Sequence, residues 1–242
     1  MLTGLVVLAV LAPPPSSGAA GARGSVQIVQ ALPGQTVDVS LDGKPLESRV
    51  REGAIVGPVK LAAGRHVVMF SENSGGQPVR TTVTVRAGSN TDVVLHRPAA
   101  VSGAPVVHSY STPRKAVGPG KARVLVAHTA TVAPADVRVD GRTVFTNIAN
   151  GEYAQADIPA GKHRVALLPT GQTSEPILGP LEVELAARTV TMVYAVGSPR
   201  NGSMKVIAHV VHIAADGTVV PDRITTGSAG FAALFPVIPF GG

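Results

Sequence analysis

The 242-residue chain has no cysteine and no tryptophan, and only three tyrosines and five phenylalanines. The missing thiols exclude disulfides, thiolate zinc sites, iron–sulfur clusters, a cysteine nucleophile and a lipobox. Nucleic-acid binding wants a dense cationic stripe, and single strands also want aromatic platforms. The formal charge is +6, but no run of basic residues forms. Residues 24–112 carry 8 basic and 6 acidic groups, and residues 121–213 carry 9 and 7. Nucleic acid is therefore not expected as a partner. Helical periodicity is absent over any long window, and no segment is long and apolar enough to span a bilayer as a helix. Nucleophile elbows, zincin helices, P-loops and dinucleotide-binding glycine loops are also missing.

What the chain does contain is itself, twice. Val26, Ile28, Asp42 and Gly43 recur 98 residues later at Val124, Val126, Asp140 and Gly141, and Val37 and Val39 recur at Val137 and Val139. One residue is then dropped, so that Ala63-Gly64-Arg65-His66 returns as Ala160-Gly161-Lys162-His163. Within each copy, valine-rich runs alternate with polar residues and are cut by Gly, Pro and Asp-Gly, the pattern of half-buried strands joined by hairpins. Ser25–Gln30 reads this way, with Val26 and Ile28 inward, as does Thr36–Leu41. The predicted organisation is a β-sandwich module over residues 24–112, a Pro/Gly linker over 113–120, a second module over 121–213 and an apolar tail over 214–242. Residues 1–22 read as a secretory signal peptide, with an apolar stretch from Leu2 to Ala12 and small residues at Ala20-Gly21-Ala22, although no Lys or Arg precedes it. Secretion or display at the cell surface follows as the expectation.

Each polar candidate has a structural explanation. His66 and His163 sit at matched strand starts, where an exposed imidazole is tolerated. His209 and His212 have the look of a metal pair, yet three residues apart on a strand they point to opposite faces. Asp42 and Asp140 belong to their turns, and Asp38 and Asp136 to outward strand faces. No catalytic residue, cofactor or metal ligand is assigned. Phe231, Phe235 and Phe240 in the tail are the candidate partner-docking residues, or else a strap over apolar surface.

These residues carry a resemblance. Asp136-Val137-x-Val139-Asp140-Gly141, Ile158-Pro159-Ala160-Gly161 and Tyr194-Ala195-Val196-Gly197, within residues 122–207, resemble the bacterial secreted domain of unknown function family 4397. The first copy looks like a degenerate version, with Gln30 in place of His128, and its strand–Asp-Gly–strand layout is similar to PEGA-type surface modules. The resemblance implies an immunoglobulin-like sandwich outside the membrane and brings no catalytic residues. The expectation is an all-β chain of two tandem immunoglobulin-like antiparallel β-sandwich domains, not an enzyme. It would act as a secreted or cell-envelope binding module for a protein or polymer. The alternative is a structural spacer or accessory subunit of a surface assembly, with the tail docking a partner.

Overall fold

A computed structural model describes residues 21–214 and 216–220, so the signal-peptide segment and Phe231, Phe235 and Phe240 lie outside the described residues. The first half contributes β1 (Arg23–Gln30), β2 (Thr36–Leu41), β3 (Lys44–Arg51), β4 (Ile55–Ala62), β5 (Gly64–Glu72), β6 (Val79–Val85), β7 (Asn90–His96) and β8 (Val106–Ser111). The second contributes β9 (Lys121–His128), β10 (Ala135–Val139), β11 (Arg142–Ile148), β12 (Tyr153–Pro159), β13 (Gly161–Pro169), β14 (Leu178–Leu185), β15 (Thr189–Val196) and β16 (Lys205–His212). Among the described residues the one helical element is a 3-10 turn at Pro199–Asn201.

The strands form four sheets: A (β4-β1-β7-β8), B (β3-β2-β5-β6), C (β12-β9-β15-β16) and D (β11-β10-β13-β14). Adding eight to each strand of A and B gives C and D, so the repeated sequence folds into a repeated topology. Both halves are β-sandwiches. Val26, Ile28, Val93 and Leu95 of sheet A pack on Val39, Val68, Phe70 and Val83 of sheet B. Val124, Val126 and Ala195 of sheet C pack on Val137, Leu167 and Leu185 of sheet D. The sheets are mostly antiparallel, but β1 runs parallel to β7 and β9 parallel to β15. The chain crosses through the other sheet of its sandwich before it returns beside its first strand.

The registers also correct the internal alignment. Val39 faces Phe70 and Val137 faces Leu167, each at the same point of its sheet. Val39, rather than Val37, is therefore the counterpart of Val137. A slip of two residues keeps every side chain on its face, which is why the hydrophobic pattern alone does not reveal it. Strand β3 has no equivalent in the sequence reading, because Lys44–Arg51 is polar and mostly exposed. Its register to β2 is held by the Asp42-Gly43 turn, not by an apolar stripe.

The half-buried expectation fails for the central strands. After its first residue β1 is buried throughout, as are β7 and, after Lys121, β9; in β15 only Val193 is partly exposed. The face that alternation assigned to solvent is covered by the other module. Val29, Val94 and Tyr110 of sheet A, with Ala31 just after β1, share one apolar cluster with Leu125, Met192, Tyr194, Ile207 and Val211 of sheet C. The sheets thus stack in the order B, A, C, D with three buried layers between them. Val117 of the linker closes one side of the middle layer.

Candidate functional site

The aspartates and histidines that recur in the sequence do structural work, and they do it twice. Asp42 and Asp140 occupy the first hairpin position with φ of 50° and 51°. Asp42 Oδ1 accepts the Val67 N–H at 2.8 Å, and Asp140 Oδ1 accepts the Arg164 N–H at 2.9 Å. The second oxygen of each binds a histidine Nδ1 at 2.7 Å, His66 in one module and His163 in the other. The far nitrogens, Nε2, meet the carbonyls of Ala62 (2.9 Å) and Pro159 (2.8 Å). Carbonyls and carboxylates only accept, so each ring must donate from both nitrogens, and the imidazolium is the form that fits. The Asp42 hydrogen bond accordingly raises the His66 pKa above its ordinary value, helped by the Ala62 carbonyl. At His163 burial acts to lower it, and the bonds to Asp140 and Pro159 outweigh burial. Asp42 is held below the ordinary carboxylate range, first by the bond from His66 and then by the Val67 N–H. These rings are not the exposed imidazoles expected: the His163 side chain is only 8% exposed.

Asp38 and Asp136 have a related role. Asp38 Oδ1 accepts from the Arg49 N–H at 2.7 Å and Asp136 Oδ1 from the Asn147 N–H at 2.8 Å. Arg49 and Asn147 are left-handed (φ 56° and 55°), in β3 and β11 where the registers to β2 and β10 shift. Each carboxylate thus braces a bulge in the neighbouring strand. Asp136 also takes the Gly171 N–H at 3.0 Å and is buried, contrary to its expected outward placement.

A second set of polar groups lies between the modules, where the sequence reading placed none. Asp92 on β7 is fully buried. Its Oδ2 accepts from the Tyr194 hydroxyl and from His209 Nε2, both at 2.5 Å and both from sheet C. The strand alternation argued for His209 and His212 is what the fold has: His209 is buried and His212 exposed. His209 is turned toward an aspartate of the other module. Burial, followed by the nearby Asp92 charge, raises the Tyr194 pKa well above the ordinary tyrosine value, so the phenol stays protonated and donates.

Alongside, His96 Nδ1 lies 2.7 Å from the Arg97 carbonyl and must be the protonated nitrogen, so Nε2 accepts from His108 Nδ1 at 2.8 Å. Burial pushes His96 down to about 4 and lowers His108 as well, which keeps this pair neutral. The seam is extended by Tyr110 Oη to the Gly151 carbonyl, Asn150 Nδ2 to the Arg97 carbonyl, Thr131 Oγ1 to the Pro98 carbonyl and an ion pair from Lys205 to Glu52.

The parallel registers show how the two copies diverged. Asp92 stands where the second copy has Met192, Gln27 where it has Leu125, and Val94 where it has Tyr194. Two equivalent faces have become a polar-studded one and an apolar one that supplies two hydrogen-bond donors. Nothing in the chain's local pattern marks Asp92. A carboxylate on an alternating strand reads as solvent-facing until the partner sheet is known.

One open concavity sits beside this seam. A groove of about 570 Å³ runs between the end of β8 and the linker (Ser111, Thr112, Arg114, Lys115) and sheet C (Arg123, Tyr153, Gln155, Asp157). Arg123 forks onto both oxygens of Asp157 at 2.6 and 2.8 Å and donates to the Lys115 and Ala116 carbonyls, which fixes the linker against β9. The Tyr153 ring is 54% exposed, unlike the buried Tyr110 and Tyr194. Its edge-to-face contact with Tyr110, 5.9 Å between centroids, holds it in place. The groove therefore offers one aromatic face, an amide and the cations Arg114 and Lys115, with its one carboxylate tied to Arg123.

No curated protein matches the chain. Residues 24–135 match the family described as Domain of unknown function (DUF4397), a stretch that covers β1 to β9. The match therefore falls on the first sandwich and the opening strand of the second, whereas the three quoted motifs all lie beyond Ala135. Over residues 24–135 the chain is thus similar to this domain family of unknown function.

Proposed function

We propose that the protein is a non-catalytic binding module of the cell envelope or extracellular space, and that it meets a protein or polymer at the groove between its linker and sheet C. The exposed, buttressed Tyr153 beside Arg114, Lys115 and Gln155 carries this reading. A rigid aromatic with adaptable polar neighbours suits an extended, hydrogen-bonding ligand. The other polar clusters support a non-enzymatic role, because their donors and acceptors are spent on turns, bulges and the module contact. Secretion rests on the composition of residues 1–22.

Co-sedimentation of the purified chain with cell-wall material, and capture from envelope fractions, test this reading. Tyr153→Ala and Lys115→Glu are expected to weaken retention about tenfold or more while leaving both modules folded, the scale of a lost interface anchor. Unchanged retention in both variants would remove the groove from consideration. The second reading, a spacer in a surface assembly, draws on the face-to-face stacking of the modules. It predicts that removing Phe231–Gly242 abolishes capture while the groove variants do not.

A further inference from the structure

We infer that the second sandwich is an apolar binding site, with a cavity between sheets C and D that takes a short alkyl group or a molecule of similar size. The void measures about 70 Å³ and is lined from both sheets, by Val126 and Ala195 on one side and Phe145, Leu167, Val183 and Leu185 on the other. His163 and Thr191 are its polar neighbours, and both His163 nitrogens are already bonded to Asp140 and Pro159. A water needs two to four polar partners, so this space is suited to an apolar guest.

The first sandwich shows where the space comes from. Strand registers align Ile28 with Val126, Leu41 with Val139, Phe70 with Leu167 and Leu95 with Ala195. Each of these pairs loses side-chain volume in the second copy, whereas the gains lie elsewhere in the lining, on sheet D, at Phe145, Leu185, Leu178 (for Val79) and Leu181 (for Thr81), so that the volume is redistributed away from Ala195 and Val126. The consequence is visible in exposure. Ile28, Val83 and Leu95 are 1%, 2% and 0% exposed, whereas Val126 and Val183, at matching positions, are each 8% exposed. The copies share a fold, and the second carries these smaller residues around its apolar void of about 70 Å³. The guest class follows from volume and lining: a few carbons, no charge, no hydrogen-bonding demand. Binding there needs no envelope partner and stands apart from the groove.

Methyl-resolved NMR of the full chain with dissolved xenon and with n-butane tests the inference. Saturable shifts are expected at Val126, Val183 and Leu185, with none at Ile28, Val83 or Val85. Ala195→Leu restores the residue of the first sandwich and should abolish these shifts and raise the melting temperature by a few degrees. Should that variant fail to fold, Leu167→Phe makes the same test with the counterpart of Phe70. Absent or non-saturable shifts would overturn the assignment, as would shifts that persist in a folded cavity-filled variant.

Discussion

At the scale of single residues, the repeated Asp–His pairs are clasps whose strength depends on pH. His66 has a raised pKa in the folded chain. Its contribution is therefore complete below the unfolded value of about 6.5 and disappears as pH rises through the higher folded value. Asp42 has a lowered pKa, so its contribution is present above about 3.8 and is lost as pH falls through the lower folded value. The clasp is thus strongest in mildly acidic solution. The stability gap between the native chain and His66→Gln should be widest near about pH 5 and narrow toward about pH 8. Urea midpoints of both proteins at the two pH values check this, and a gap that widens with pH would contradict it. The brace at Asp136, whose pKa is lowered by the Asn147 and Gly171 N–H groups, lacks that dependence near neutrality. Asp136→Ala strips acceptors from two backbone N–H groups and should cost about 1–3 kcal/mol, read from the same denaturation curves.

At the scale of strands, the contact of β7 with β15 and β16 is where two similar sheets became a specific pair. The Asp92 carboxylate is buried, and of its two oxygens Oδ1 has no protein hydrogen bond, like the Gln27 amide and His209 Nδ1. Such groups lower the net worth of the contact, so its polar core serves to fix which faces meet more than to add stability. Removing one partner still exposes the cost. Asp92→Ala strands His209 and should destabilise the protein by about 3 kcal/mol. Tyr194→Phe keeps the ring and loses one charge-assisted bond, for about 1.5–3 kcal/mol. Gly151 offers a steric probe of the same seam. Its φ is 88°, and an added Cβ would lie 2.6 Å from His108 Nε2. Gly151→Ala should therefore loosen the modules, seen as faster proteolysis of the 113–120 linker.

At the scale of the whole molecule, the middle layer makes the two sandwiches one body. Calorimetry of the native chain should show one unfolding transition, because neither module keeps its central strands covered without the other. Two separated transitions would show that the modules fold independently and that the middle layer is weak. The same stacking exposes few large apolar side chains among the described residues, chiefly Val101, Val144, Tyr153 and Val220. A partner has no large apolar patch there to grip, which leaves the groove, the sheet edges and the tail as the surfaces for recognition.

The sequence by itself determined the two copies, their strands and their hairpins. Valine alternation and Asp-Gly turns are local signals, and β1 and β2 were legible from them. Polar β3 was not, since its place depends on a turn and a braced bulge at Arg49. His66 and His163 could be seen to recur, but their work could not, because the carbonyl that each Nε2 reaches lies four residues back across a turn. Only the tertiary structure decided the rest. Alternation says that a strand has two faces and says nothing of what covers the second one. Asp92, Tyr194 and His209 look like solvent-facing or core residues until sheet C is laid on sheet A, and the space around Ala195 exists only once two sheets have closed over it.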